Sequence, residues 1–174
     1  LEMIEAREFF GFTPDQIEVL IHPESVVHAL VGFCDGGLMA HVGPPDMRHA
    51  IGYALHWPQR QALPVEALDL AAIGTLNFRA PDIARYPALR LAREVMEMRG
   101  LSGAVFNAAK ERALDHFIAG RIGFSDMNVV VEEVLTRLTR DPEEMNATLT
   151  LDCVSRMDHL ARQSADQVVT ERNS

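Results

Sequence analysis

From Pro87 to the end of the chain, apolar residues recur at three- and four-residue intervals, with no strand-like alternation of comparable length between them. Helices bury such stripes, and each stripe needs another element against it. Leu89, Leu91, Ala92, Val95 and Met96 fit a first helix, with Pro87 in its opening turn and Gly100 as its stop. The spacing predicts a second helix over 104–119, ended by Gly120. Ser125-Asp126 caps a third that carries Val129, Val130, Val134, Leu135 and Leu138 and stops at Asp141-Pro142. Leu151, Val154, Met157, Leu160 and Ala161 begin a fourth stripe that runs on to Val168 and Val169. The expected architecture of residues 86–170 is therefore a four-helix bundle.

The earlier part of the chain is mixed. Residues 1–10 have helical spacing with neither an initiator Met nor a capping residue ahead of them, which predicts that an N-terminal portion precedes them. Gly11 ends that helix, and Ile17, Val19 and Ile21 alternate as a strand until Pro23 interrupts. A second extended run over 26–33, the turn Asp35-Gly36-Gly37 and a run over 38–42 predict an antiparallel pair. After Gly43-Pro44-Pro45-Asp46, residues 47–57 fit a short helix with Ile51, Ala54 and Leu55 on one face, stopped by Pro58. A connecting segment follows from 59, with a short strand over 75–78. The expected class is α+β: a small, mainly antiparallel sheet with its helices over 1–58, a connection over 59–85, and the helical bundle over 86–170.

A net charge of -9 sets most of this surface against the phosphate backbone, so no nucleic-acid partner is expected. No apolar run approaches the roughly 18 residues of a membrane span, and the first residues lack the basic start of a signal peptide. The chain reads as cytoplasmic and free of the membrane. Cys34 and Cys153 have no metal-ligand spacing and read as buried, reduced thiols.

Candidate chemistry gathers in three places. Glu2 and Glu5, three apart on a helix, project from one face and could serve a divalent cation or a base; carboxylates in a first turn also simply favour the helix dipole. In His22-Pro23-Glu24-Ser25-Val26-Val27-His28, Pro23 fixes the backbone while two imidazoles and a hydroxyl surround a strand start. That loop could line a polar pocket, or His22 and His28 could be hydrogen-bonded structural residues. Gly43-Pro44-Pro45-Asp46-Met47 is a rigid loop after a strand, suited to a pocket wall or to a tight turn. His41, His49, His56, His116 and His159 share no evident geometry and read as structural or solvated. No Gly-x-Gly-x-x-Gly, Walker loop, Gly-x-Ser-x-Gly or His-Glu-x-x-His pattern is present in the sequence.

Taken together, the 21–28 string, Gly43-Pro44-Pro45-Asp46-Met47-Arg48, Ala80-Pro81-Asp82, and Asn107-Ala108-Ala109 with Glu111 resemble the 1-deoxy-D-xylulose 5-phosphate reductoisomerase family, in its order and spacing over nearly the whole chain. The resemblance implies an NADP-dependent oxidoreductase and isomerase of non-mevalonate isoprene biosynthesis. Its enzymes convert 1-deoxy-D-xylulose 5-phosphate to 2-C-methyl-D-erythritol 4-phosphate with NADPH and magnesium, manganese or cobalt. The metal acts as a Lewis acid on adjacent substrate oxygens, work that hard oxygen ligands suit.

On this resemblance Glu2 falls on a catalytic, metal-ligating carboxylate that also contacts substrate, and Glu5 on a supporting acid. Ser25 and His28 border the substrate pocket, and Pro45 and Met47 form part of its wall. Glu24 stands where the family often has Gln, which puts an extra negative charge near an anionic substrate, and Lys110-Glu111 where Asn-Glu is common. The family's remaining metal ligands, lid, phosphate-binding groups and NADPH-binding domain lie upstream, so this stretch by itself is expected to be inactive. Residues 1–58 would then be the last part of an α/β catalytic domain whose sheet joins a homodimer. Two other readings compete: a paralogue with altered substrate, and a stand-alone helical module whose acidic surface binds a protein.

Overall fold

The computed structural model describes residues 1–140, 145 and 148–173. The helix stop expected at Asp141-Pro142 lies outside the described residues. The chain divides into two compact units, Leu1–Glu18 with Asp82–Ser174, and Val19–Pro81.

In the first unit, α1 (Glu2–Phe10) buries Met3 and Ile4 and ends at Gly11, whose φ of 70° is the left-handed cap that glycine tolerates. A 3-10 turn at Pro14–Gln16 follows, closed by the Thr13 N–H donating to Gln16 Oε1 at 2.9 Å. The next helix, α4 (Pro87–Met98), packs against α1, and its Arg93 guanidinium donates to the carbonyls of Pro14 and Ile17 at 3.1 and 3.2 Å. These ties explain a difference from the expected layout: α1 groups with the helices instead of with the strands. They also explain why no strand forms around Ile17, whose carbonyl is taken by Arg93 and whose side chain is buried.

The helix α5 (Ser102–Ile118) packs against both α6 (Asp126–Leu138) and α7 (Leu151–Asn173). Leu91, Val95 and Met96 of α4, Val105 of α5, Val130 and Val134 of α6 and Met157 and Val168 of α7 form the core. Ala108, Ala109 and Ala113 on α5, with Ala161 and Ala165 on α7, are also buried, and such small residues permit close approach of helix axes. The stripe expected to open α7 turns outward: Leu151 is 85% exposed, while Val154 and Leu160 are part-exposed. Unbroken steps of three residues rotate a stripe about 60° per step around the axis, whereas the buried face of Met157, Ala161, Ser164, Ala165, Val168 and Val169 mixes steps of three and four and so stays on one side. Ser125 makes no side-chain cap on α6; Asp126 Oδ2 instead accepts from the Gly123 N–H at 2.8 Å.

In the second unit, β1 (Val27–Gly32) and β2 (Leu38–Val42) pair antiparallel, with Leu30 opposite Ala40, Val31 opposite Met39 and Gly32 opposite Leu38. Gly36 turns the hairpin at φ 86°. The remaining elements are α2 (Arg48–His56) and the one-turn α3 (Leu70–Ile73), which Asp69 caps by accepting from the Ala71 and Ala72 N–H groups. Ile51 and Leu55 are exposed and Gly52 is buried against Leu63, so α2 buries the face opposite to the expected one. Residues 75–78 form no strand; Arg79 bridges Ile21 at one position. The thiols depart from expectation too: Cys34, beside the hairpin turn, is exposed, and Cys153 is half-buried. Among the described residues no helix is long and apolar enough to cross a membrane.

Candidate functional site

The loop before β1 is tied down by a segment far along the chain. Ile21 and Arg79 exchange backbone hydrogen bonds of 2.9 and 3.1 Å, which lays residues 77–79 beside 21–24. Glu24 then accepts twice from Asn77: Oε2 from its backbone N–H at 3.0 Å, and Oε1 from its side-chain amide. These bonds, the side-chain one foremost, hold the Glu24 carboxyl below the usual carboxylate range. His22 Nδ1 lies 2.8 Å from the Asn77 carbonyl and 3.0 Å from Glu24 Oε2. Both neighbours only accept, so Nδ1 carries the proton. The ring stacks on Phe78 at 4.5 Å and 10°, and its Nε2 is buried without a hydrogen-bond partner among the described residues. The negative charge expected to trouble an anionic substrate is thus already engaged by three N–H groups. Asn77 escaped the sequence reading because it is 53 residues from Glu24 and no local pattern marks it.

Ser25 follows at φ 52°, its N–H bonded to the His22 carbonyl at 3.1 Å, and its side chain is exposed. A serine in this region needs neighbours that hold it there. On the far side, the Gly43 N–H donates to Val26 O at 2.9 Å, and His28 Nε2 lies 3.0 and 3.1 Å from the carbonyls of Gly43 and Pro44. Two carbonyl acceptors require a proton on His28 Nε2.

Residues 43–47 turn tightly, with the Asp46 N–H on Pro44 O at 2.7 Å. Asp46 accepts from the Arg48 guanidinium through both oxygens and from its backbone N–H at 2.9 Å, which lowers its pKa to about 2. Pro45 and Met47 are exposed, Met47 by 71%. Because Val27 pairs with Val42, the 22–26 and 43–47 loops leave the same end of the hairpin. That end therefore collects Ser25, His28, Pro45 and Met47 in one unit. Glu2 and Glu5 belong to the other, exposed on α1, where no cation among the described residues pairs with either. No group of three or more His, Cys, Asp or Glu suited to a metal occurs among the described residues.

A second polar cluster lies inside the helical unit. His116, expected to be structural or solvated, is buried with Nε2 2.6 Å from Asp166 Oδ1, and Arg112 donates to both oxygens of the same carboxylate at 2.8 and 3.1 Å.

Known proteins match this arrangement. The family model for the DXP reductoisomerase C-terminal domain matches residues 42–164. The 1-deoxy-D-xylulose 5-phosphate reductoisomerase of Ruegeria pomeroyi is 71% identical over 172 residues, covering 99% of this chain and 44% of the relative. That of Cereibacter sphaeroides is 63% identical with the same coverage. The solved reductoisomerase of Zymomonas mobilis in complex with NADPH superposes with a TM-score of 0.87 at 39% identity, over 97% of this chain and 43% of that one. A DOX-P reductoisomerase in complex with NADPH, fosmidomycin and magnesium gives 0.88 at 34% identity, over 99% and 43%. The chain thus spans about 44% of the length of the curated relatives it matches. By the match of its residues 42–164, the chain belongs to the DXP reductoisomerase family.

Proposed function

We propose that this chain supplies part of the active site of an NADPH- and divalent-metal-dependent enzyme that converts 1-deoxy-D-xylulose 5-phosphate to 2-C-methyl-D-erythritol 4-phosphate. The observation that carries the reading is the hairpin end, where two loops of the expected substrate segments emerge together with Ser25, His28, Pro45 and Met47. Ser25 offers an exposed hydroxyl, and His28 an imidazole oriented by the Gly43 and Pro44 carbonyls. Pro45 and Met47 offer apolar surface beneath a sugar skeleton.

For the metal, Glu2 offers an exposed hard-oxygen ligand on α1, with Glu5 one turn away as a supporting acid. This donor chemistry fits magnesium, manganese or cobalt. Such an ion, when bound, would supply Lewis-acid polarisation of substrate oxygens. Glu2 alone does not make a site, so the other ligands and the NADPH-binding surface would come from a further part of the enzyme, and the 174-residue chain by itself would be inactive. The helices α4–α7 serve as a bundle supporting the catalytic part, and the hairpin joins a second copy in a cytoplasmic homodimer.

The test is NADPH oxidation by the full-length gene product containing this chain, with 1-deoxy-D-xylulose 5-phosphate and manganese or magnesium. Turnover that needs the metal and falls by about two to four orders of magnitude in Glu2→Gln supports the reading. A parent without turnover would favour a paralogue of altered substrate, and an unimpaired Gln variant would remove Glu2 from the metal site.

A further inference from the structure

Residues 21–28 are anchored at two ends, and the exposed serine lies between the anchors. On one side, Ile21, His22 and Glu24 are each tied to residues 77–79, by the Ile21–Arg79 bridge, the His22 Nδ1 contact with the Asn77 carbonyl, and the two bonds from Asn77 to the Glu24 carboxylate. On the other, Val26 and His28 are tied to Gly43 and Pro44. Ser25, at φ 52°, occupies a conformation that an L residue keeps only when its neighbours impose it. Glu24 is the immediate neighbour that imposes it from the 77–79 side.

The carboxylate is not available as a base or metal ligand while it serves this purpose, because three donors already converge on it. Its third partner carries a consequence for His22. With Glu24 Oε2 and the Asn77 carbonyl both accepting at Nδ1, the His22 proton is confined to that nitrogen. The ring is then held flat on Phe78.

We propose that Glu24 and Asn77 form a clamp that positions Ser25 and His28 for the substrate, with Glu24 acting as a positioning residue and not as a catalytic one. This rests on the reading of the hairpin end as a substrate pocket. A loosened loop must be ordered again by each substrate molecule, so the clamp is felt in KM more than in kcat.

Glutamine at 24 can keep the mechanical part. Its amide oxygen accepts the Asn77 N–H while its NH2 donates to the Asn77 side-chain oxygen after that amide turns over. That same oxygen, in the place of Oε2, still faces His22 Nδ1 as its acceptor. Alanine keeps neither bond.

The experiment uses the full-length gene product, with KM and kcat for 1-deoxy-D-xylulose 5-phosphate and hydrogen exchange over residues 21–28 read side by side. Glu24→Ala is expected to raise KM about tenfold or more with kcat changed far less. It should also speed exchange over 21–28. Asn77→Ala, which keeps its backbone N–H, should show a smaller rise, the double variant should be no worse than Glu24→Ala, and Glu24→Gln should return KM to within about twofold of the parent. Folded Glu24→Ala with the parent's KM would overturn the positioning role, whatever its exchange. Unchanged exchange would overturn the clamp itself. Should Glu24→Ala not fold, Asn77→Ala carries the same comparison. A parent with no turnover would sink the proposed reaction instead, and exchange over 21–28 would then decide the clamp separately.

Discussion

Asp166 Oδ1 stands 2.6 Å from Nε2 of His116, a residue only 5% exposed, and thereby joins α5 to α7 inside the helical unit. Arg112 grips the same carboxylate through two nitrogens, so one acid bridges two basic side chains. Partial burial pushes the Asp166 carboxyl up, but the bonds from Arg112 and His116 outweigh it and leave the group below its ordinary 3.8.

Asp166→Asn should therefore destabilise the protein by about 1–2 kcal/mol, since a neutral amide holds Arg112 poorly and faces His116 with one acceptor fewer. The side chain of Asp166 is 43% exposed, and solvent screening keeps the effect at the lower end. The sign with pH follows from a depressed folded value: the unfolded chain binds the proton first, so the contribution is complete above 3.8 and is lost as pH falls through the folded value. Urea unfolding of parent and variant should show a stability gap at neutral pH that narrows in acid below that point. A gap that widens there would refute the assignment.

Asp46 and Arg48 allow a more direct titration. The Arg48 side chain, then its backbone N–H, hold the Asp46 carboxyl at about 2 against an ordinary 3.8. Carboxyl NMR should find that low midpoint in the parent and a rise towards 3.8 in Arg48→Ala, with the remaining depression due to the backbone N–H. The bond that closes the turn before α2 is present above 3.8 and is lost as pH falls through about 2.

The helices were legible because burial and periodicity agree in them: Leu91, Val95 and Met96, or Val130 and Val134, repeat on one face with nothing competing. Capping residues were less so. Ser125 looked like a cap and is not, because Asp126 reaches back to Gly123 and closes the turn first. The strand expected at Ile17 failed for a reason no local pattern carries, since the guanidinium that takes its carbonyl comes from Arg93. At the candidate site the loops bearing Ser25, Pro45 and Met47 were visible as Pro- and Gly-rich interruptions of apolar runs, with His28 just inside the strand that follows the first. The partner of Glu24 was not, because Asn77 lies 53 residues away and is laid beside it by the Ile21–Arg79 bridge.

Gly11 offers a clean test of the cap on the helix that carries Glu2. Its φ of 70° is open to glycine, while a Cβ there would meet nothing within 4 Å, so any loss on substitution is a backbone cost alone. Gly11→Ala should lower stability by about 1 kcal/mol and Gly11→Asn by less, since Asn visits this region more readily. Thermal melts of the two variants give the order; equal losses would mean that the cap is not what limits this end of α1.

The proposed homodimer makes the hairpin testable. A two-stranded ribbon is marginal in isolation, and its apolar side chains stand in solvent on both faces. Val31 and Met39 lie directly opposite each other, 53% and 63% exposed, so their side chains share a face. On the other face Leu30 is paired with Ala40 and Leu38 with Gly32, one large residue in each pair. The Val31–Met39 pair thus sets two large, exposed apolar side chains directly against each other, and the proposed contact with a second copy is placed on it. Val31→Lys with Met39→Lys should convert the full-length protein from dimer to monomer in sedimentation velocity, with an unchanged far-ultraviolet spectrum, because four ammonium groups would have to be desolvated across a two-fold contact. Leu30→Lys should leave the dimer intact. Dissociation by Leu30→Lys alone would move the contact to the opposite face, and a dimer that survives both would remove the hairpin from the interface.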